Sequence, residues 1–81
     1  MMSKCECCGN KTVNGKTEDA LGYICPVCFW EVDTFINDED EPSDQNHQLT
    51  LKQARVNYVK FGACHSKFIN SVRKSTEAER S

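Results

Sequence analysis

Two Cys-x-x-Cys pairs, Cys5/Cys8 and Cys25/Cys28, separated by sixteen residues, constrain this chain more than any other feature. Each two-residue spacing lets a tight turn aim both sulfurs at one point while backbone amides face them. The intervening length suits a short hairpin, so four thiolates can close around one tetrahedral ion. A tetrathiolate leaves no open coordination position, and its expected role is structural. The expected ion is a single Zn2+, with iron as the alternative that a thiolate set also accepts. Such a clamp answers a need set by size. The 81 residues suffice for one domain, and Leu, Ile, Val and Phe together number only 16. That supply gives a thin core, which small domains offset with a metal or disulfides.

Cys7 stands beside Cys8, so either is placed to pair with Cys5. Gly9 favours Cys8, because the residue after the second ligand of such a turn needs backbone freedom that glycine has and a cysteine lacks. Cys7 is then a buried thiol next to the site, and Pro26 stiffens the second turn. Cys64 and His65 have no partner at ligand spacing. They are held open, with Cys7, as an additional thiol pair or ligand set. A disulfide framework is the alternative use of six cysteines. It is disfavoured because Met1-Met2-Ser3-Lys4 runs into the first cysteine without the apolar stretch of a signal peptide. The expected location is cytoplasmic and off the membrane.

Within the cysteine-rich part, Asn14-Gly15 predicts a two-residue turn joining a strand at 11–13 to one at 16–17. Tyr23-Ile24 supplies another short extended segment, and Phe29, Trp30, Val32, Phe35 and Ile36 are expected to cover the clamp. Further on, Thr50 and Gln53 form a capping box, Leu51, Ala54, Tyr58 and Phe61 make one helical stripe, and Gly62 stands where a left-handed cap ends the helix. The fold class expected is therefore a small α+β zinc-ribbon-like domain: short β-hairpins around a four-cysteine metal site and one C-terminal amphipathic helix at about 51–61. It is a single domain over 1–81, divided into the metal module at 5–36, an acidic loop at 37–49, a helix and packing segment at 50–74, and a flexible tail at 75–81.

The net charge of −2 conceals a division. Seven acids and no Lys or Arg lie between Glu31 and Asp44; six bases and no acid lie between Lys52 and Lys74. The two blocks can attract each other within the fold, with Arg55 reaching an acid of 31–44, or they can serve partners.

Four stretches, Cys5-Glu6-Cys7-Cys8-Gly9, Tyr23-Ile24-Cys25-Pro26-Val27-Cys28-Phe29-Trp30-Glu31, Ala54-Arg55-Val56-Asn57-Tyr58 and Phe61-Gly62-Ala63-Cys64, together resemble the bacterial cysteine-rich CPCC family. The likeness runs from about Cys5 to Arg73, with Glu6 where the family name places proline. It implies a small zinc-ribbon-like bacterial protein and assigns no activity.

No nucleophile–base arrangement, phosphate-cradling glycine loop or open metal position is legible, so an enzyme is not expected. The leading expectation is a metal-stabilised protein-binding module that presents Asp38, Glu39, Asp40, Glu41 and Asp44 to a basic partner. A specific version is an immunity or antitoxin protein that blocks a basic nuclease toxin. The alternatives are a nucleic-acid-associated ribbon using Lys52, Arg55, Lys60, Arg73 and Lys74, disfavoured by net charge, and a thiol redox or metal-delivery protein acting through Cys7 or Cys64.

Overall fold

The computed structural model describes residues 1–80 of the chain. Its only named sheet among them is a pair of antiparallel strands, β1 (Met2–Lys4) and β2 (Lys11–Asn14), with Met2 opposite Asn14 and Ser3 opposite Val13. This corrects the turn expected at Asn14-Gly15. Gly15 has the positive φ of 82° that such a turn requires. Its N–H, however, donates to the Met1 carbonyl at 2.7 Å, and residues 17–19 coil into a 3-10 turn instead of returning as a strand. The physical reason is the available partner. A return strand at 16–17 would be two residues long, whereas β1 runs directly into the Cys5–Cys8 turn and closes β2 over it, with Val13 fully buried.

The second cysteine pair sits in a similar frame. Ile24 and Glu31 form an isolated antiparallel bridge. It is extended by hydrogen bonds from Val32 N–H to the Tyr23 carbonyl (2.8 Å) and from Gly22 N–H to the Val32 carbonyl (2.9 Å). The core lies between the two frames: the cysteines, Val13, Val27, Trp30 and Val32 are joined by Leu51 and Ala54. Trp30 is 1% exposed, but Phe35 is 72% exposed and covers nothing. The sequence expectation for Phe35 fails because the chain turns outward after Asp33, whose carboxylate accepts from Phe35 N–H at 2.9 Å.

Helix α1 (Leu51–Phe61) begins and ends as its sequence dictates. Thr50 Oγ1 accepts from Gln53 N–H, the Gln53 side chain accepts from Thr50 N–H, both at 3.0 Å, and Gly62 takes φ 77° at the far end. Its stripe is buried only over the first turn, at Leu51 and Ala54; Tyr58 is half-buried and Phe61 exposed. Residues 66–71 form a 3-10 turn that brings Phe68 back onto the second cysteine frame. The polar segment read as a flexible tail contains a helical turn, α2 (Glu77–Arg80), tied back by an Arg73–Glu79 ion pair at 2.8 Å; Ser81 lies outside the described residues.

The acidic segment is held down by buried polar groups. Asn46 imitates a strand partner for Glu31, accepting its N–H and donating to its carbonyl, each at 2.8 Å. Ser43 donates to the Asp33 carboxylate at 2.6 Å and accepts from Asn46 at 2.8 Å. No buried side-chain nitrogen or oxygen among the described residues lacks a partner, as burial of polar groups demands. No helix of the described residues is long and apolar enough to cross a membrane.

Candidate metal centre

The turn at Cys5–Cys8 and the turn at Cys25–Cys28 repeat one backbone pattern. In the first, Gly9 N–H donates to the Cys5 carbonyl at 2.8 Å and Cys5 N–H to the Asn10 carbonyl at 2.8 Å. In the second, Phe29 N–H donates to the Cys25 carbonyl at 2.8 Å and Cys25 N–H to the Trp30 carbonyl at 2.9 Å. The residue after each second cysteine is left-handed, Gly9 at φ 77° and Phe29 at φ 72°. The two turns face each other and bring four sulfurs, of Cys5, Cys8, Cys25 and Cys28, within 4.8 Å of one another. Cys5 and Cys28 Sγ are 3.6 Å apart, and Cys8 and Cys25 Sγ 3.8 Å. With metal–sulfur bonds of about 2.3 Å, the sulfurs of a tetrahedral zinc lie about 3.8 Å apart, so the spacing fits one such ion. Cys8 is half-buried and the other three are buried.

The four sulfurs perturb one another strongly. The Cys28 and Cys5 thiols are pushed well above the ordinary range, each chiefly by Cys25. Cys25 is pushed well below it by donation first from Cys28, then Cys5 and Cys8, and also from Thr12. Four sulfurs this close share protons, and full ionisation requires a positive charge among them. The cluster can hold a metal ion; as the thiols must lose their protons to do so, affinity falls as pH falls.

Sequence reasoning missed the groups that orient this cluster. Buried Thr12 places its hydroxyl 3.1 Å from Cys25 Sγ, within hydrogen-bond distance of the sulfur. The signal was its place on β2 between the cysteine pairs, which no spacing rule singles out. Arg55 Nε donates to the Glu6 carbonyl at 2.9 Å and its Nη1 to Glu39 Oε2 at 2.7 Å, so the expected pairing of Arg55 with an acid of 31–44 is present and also fastens the first turn. The second turn is fastened by Cys64 N–H donating to the Cys28 carbonyl at 2.7 Å and Arg73 N–H to the Pro26 carbonyl at 3.2 Å.

Cys8, not Cys7, brings its sulfur into the four-cysteine group; Cys7 is buried in the adjoining core. Cys64 is 1% exposed, and its thiol is pushed up to about 12, first by burial and then by Cys7. That is the reverse of an activated nucleophile. His65 is outside the group: its Nδ1 accepts from Lys67 N–H at 3.1 Å and caps the 66–71 turn. Of the acids singled out, Asp38 accepts from Asp40 N–H at 2.8 Å, Glu41 from Asn37 N–H at 3.0 Å, and Asp44 from the Gln48 side chain. Glu39 pairs with Arg55, and Asp40 lies 3.5 Å from Lys52, so the two charge blocks do meet within the fold.

No curated protein and no solved structure matches this chain. A family model described as cysteine-rich CPCC matches residues 3–79, nearly the whole length, and spans both turns, the helix and the fastening segment alike. The chain belongs to the cysteine-rich CPCC family.

Proposed function

We propose that this chain is a small cytoplasmic, non-catalytic interaction module, folded around one structural zinc ion in the manner of a zinc ribbon, that presents its acidic segment to a basic protein. The observation that carries the metal half is the convergence of four sulfurs within 4.8 Å from two turns of matching hydrogen bonding. Closed tetrathiolate geometry favours a structural over a catalytic ion. The same reduced thiols suit a reducing compartment.

The partner half rests on the acidic segment. Asp38, Glu39, Asp40 and Asp44 are exposed, yet their backbone is anchored by the Asp33, Ser43 and Asn46 network and by Arg55. Anchored carboxylates lose less entropy on binding than a free loop would. Phe35, 72% exposed, stands beside Glu41, Pro42 and Asp44 around a cavity of about 180 Å³ and offers an aromatic anchor among the charges. An immunity or antitoxin role fits this chemistry, with carboxylates standing where a nuclease would take nucleic-acid phosphates.

Two measurements test the reading. Native mass of the reduced protein should show one zinc whose removal by a chelator unfolds the chain; retention of structure in the metal-free reduced protein overturns the metal half. Capture from the source lysate should yield a basic protein that is lost when Asp38, Asp40, Glu41 and Asp44 are changed to Lys. Unchanged capture by that variant overturns the acidic-surface half.

A further inference from the structure

The acidic segment leaves one end of the molecule uncompensated. Glu39 and Asp40 meet Arg55 and Lys52 in the first half of α1, about 9 Å and about 13 Å of helix rise before Phe61 respectively. At the other end, Tyr58 and Phe61 form one wall of an open cleft of about 370 Å³, flanked by Val72, Arg73, Lys74 and Arg80. That volume is in the range of small-ligand sites. Phe61 should have been core by the helix stripe, yet it is 43% exposed. Among the cations, Arg73 is neutralised by Glu79 at 2.8 Å. Among the described residues, Arg80 donates to neutral oxygens of Ser75, its carbonyl at 2.6 Å and its hydroxyl at 3.3 Å, and forms no ion pair. Lys74 has no ion pair among the described residues.

The cavity thus sets two cations that form no ion pair among the described residues, Lys74 and Arg80, beside two aromatic rings. An anion alone would use the charges and leave Phe61 in water; an apolar ligand would do the reverse. We propose that this cavity binds a nucleotide unit, with its base against Phe61 and Tyr58 and its phosphate between Lys74 and Arg80. Base–aromatic stacking tolerates any base, and a phosphate needs only donors and positive charge, so such a site is not sequence-selective. The chain's net negative charge does not forbid it, because seven of its twelve carboxylates lie on the 31–44 segment, and of the two on α2, Glu77 and Glu79, the second is paired with Arg73. Tyr58 also ties the cavity to the metal module, since its hydroxyl accepts from Asn10 Nδ2 at 3.4 Å, and the Asn10 carbonyl accepts from Cys5 N–H.

The test uses the metal-loaded full chain. Adenosine monophosphate, adenosine, inorganic phosphate and a single-stranded RNA pentamer are each titrated while amide signals of 58–62 and 72–75 are followed by NMR. Adenosine monophosphate should bind saturably and more tightly than either half-ligand. Lys74→Glu and Phe61→Ser should each weaken it about fivefold or more, whereas Lys52→Glu, the same charge change at the far end of α1, should not. Both residues are exposed, and the spectrum of each variant reports directly whether its fold is kept. If it is not, Arg80→Glu and Phe61→Leu take their places, with the same losses expected. A pentamer that binds more tightly than the monomer, with the same losses, assigns the source as a strand; equal affinity assigns a free nucleotide. The proposal is overturned by no binding of either, by phosphate binding as tightly as the nucleotide with Phe61 indifferent, or by equal weakening in Lys52→Glu.

Discussion

The two cysteine turns share their hydrogen bonds and their left-handed final residue, but one ends in glycine and the other in phenylalanine. Gly9 adopts φ 77° without cost. Phe29 at φ 72° holds a conformation that disfavours a side chain by about 1–2 kcal/mol. Its ring then lies 4.4 Å from that of Phe68, tilted by 33°, an arrangement worth about 0.5–1.5 kcal/mol beyond the area it buries. The first turn is therefore shaped locally, and its side-chain fastenings run to α1, from Arg55 to the Glu6 carbonyl and from Asn10 to the Tyr58 hydroxyl. The second is shaped by what packs on it: Phe68, the Cys64 amide and the Arg73 amide all arrive from the last third of the chain. Two halves of one site can reach the same backbone by different physics.

The sharpest attack on that comparison is to remove one ligand from each turn. Cys28→Ser, at a fully buried sulfur, should abolish metal-dependent folding, an effect on the order of 10 kcal/mol, read by circular dichroism during metal titration. Cys8→Ser, at the half-buried corner, should still fold with metal but release it faster to a competing chelator. Equal collapse of both variants would mean that the turns do not differ in their tolerance.

The next largest effect concerns the left-handed residues. Phe29→Ala keeps the strained φ and loses the ring, so it should cost about 2–4 kcal/mol in thermal unfolding of the loaded protein, whereas Phe29→Gly relieves the strain and should cost less. Gly9→Ala should cost about 1–2 kcal/mol from conformation alone, because nothing lies within 4 Å of where its Cβ would stand. A Phe29→Gly variant less stable than Phe29→Ala would contradict this account.

Smaller still is the fastening of the first turn. Glu39→Gln removes an exposed ion pair and should change stability by less than about 1 kcal/mol. Arg55→Ala also strips the Glu6 carbonyl of its donor and should cost more than Glu39→Gln by urea denaturation. The smallest effect lies in the tail. The Arg73 guanidinium holds the Glu79 carboxyl down to about 2, from 4.5. A carboxyl depressed in the fold contributes fully above its unfolded value and loses that contribution as pH falls through about 2. The Glu79 side-chain resonance should therefore titrate near there, while that of Arg73→Gln returns toward 4.5.

What was legible in the sequence follows from range. The four-cysteine group, the Thr50–Gln53 box and the Gly62 cap obey rules that act over three or four residues, and each takes the form its spacing implies. The Arg55–Glu39 pair was legible because the charge blocks left few other partners. The Asn14-Gly15 pair misleads because its φ is a local property, whereas the strand that pairs with β2 is not; Met2–Lys4 carries no alternation that marks it. Phe29 gives no composition signal of a left-handed residue; only its equivalence to Gly9 after a second cysteine hints at it. Asn46 and Ser43 read as loop formers because their polarity is what the sequence displays, while their burial against Glu31 and Asp33 depends on the whole fold.

The amides of Cys64 and Arg73 that close over the second turn have a bearing on biosynthesis. A ribosome delivers all four sulfurs long before it delivers that cover. For the interval in between, the nascent polypeptide carries four converging thiols without the cover that closes over the second pair.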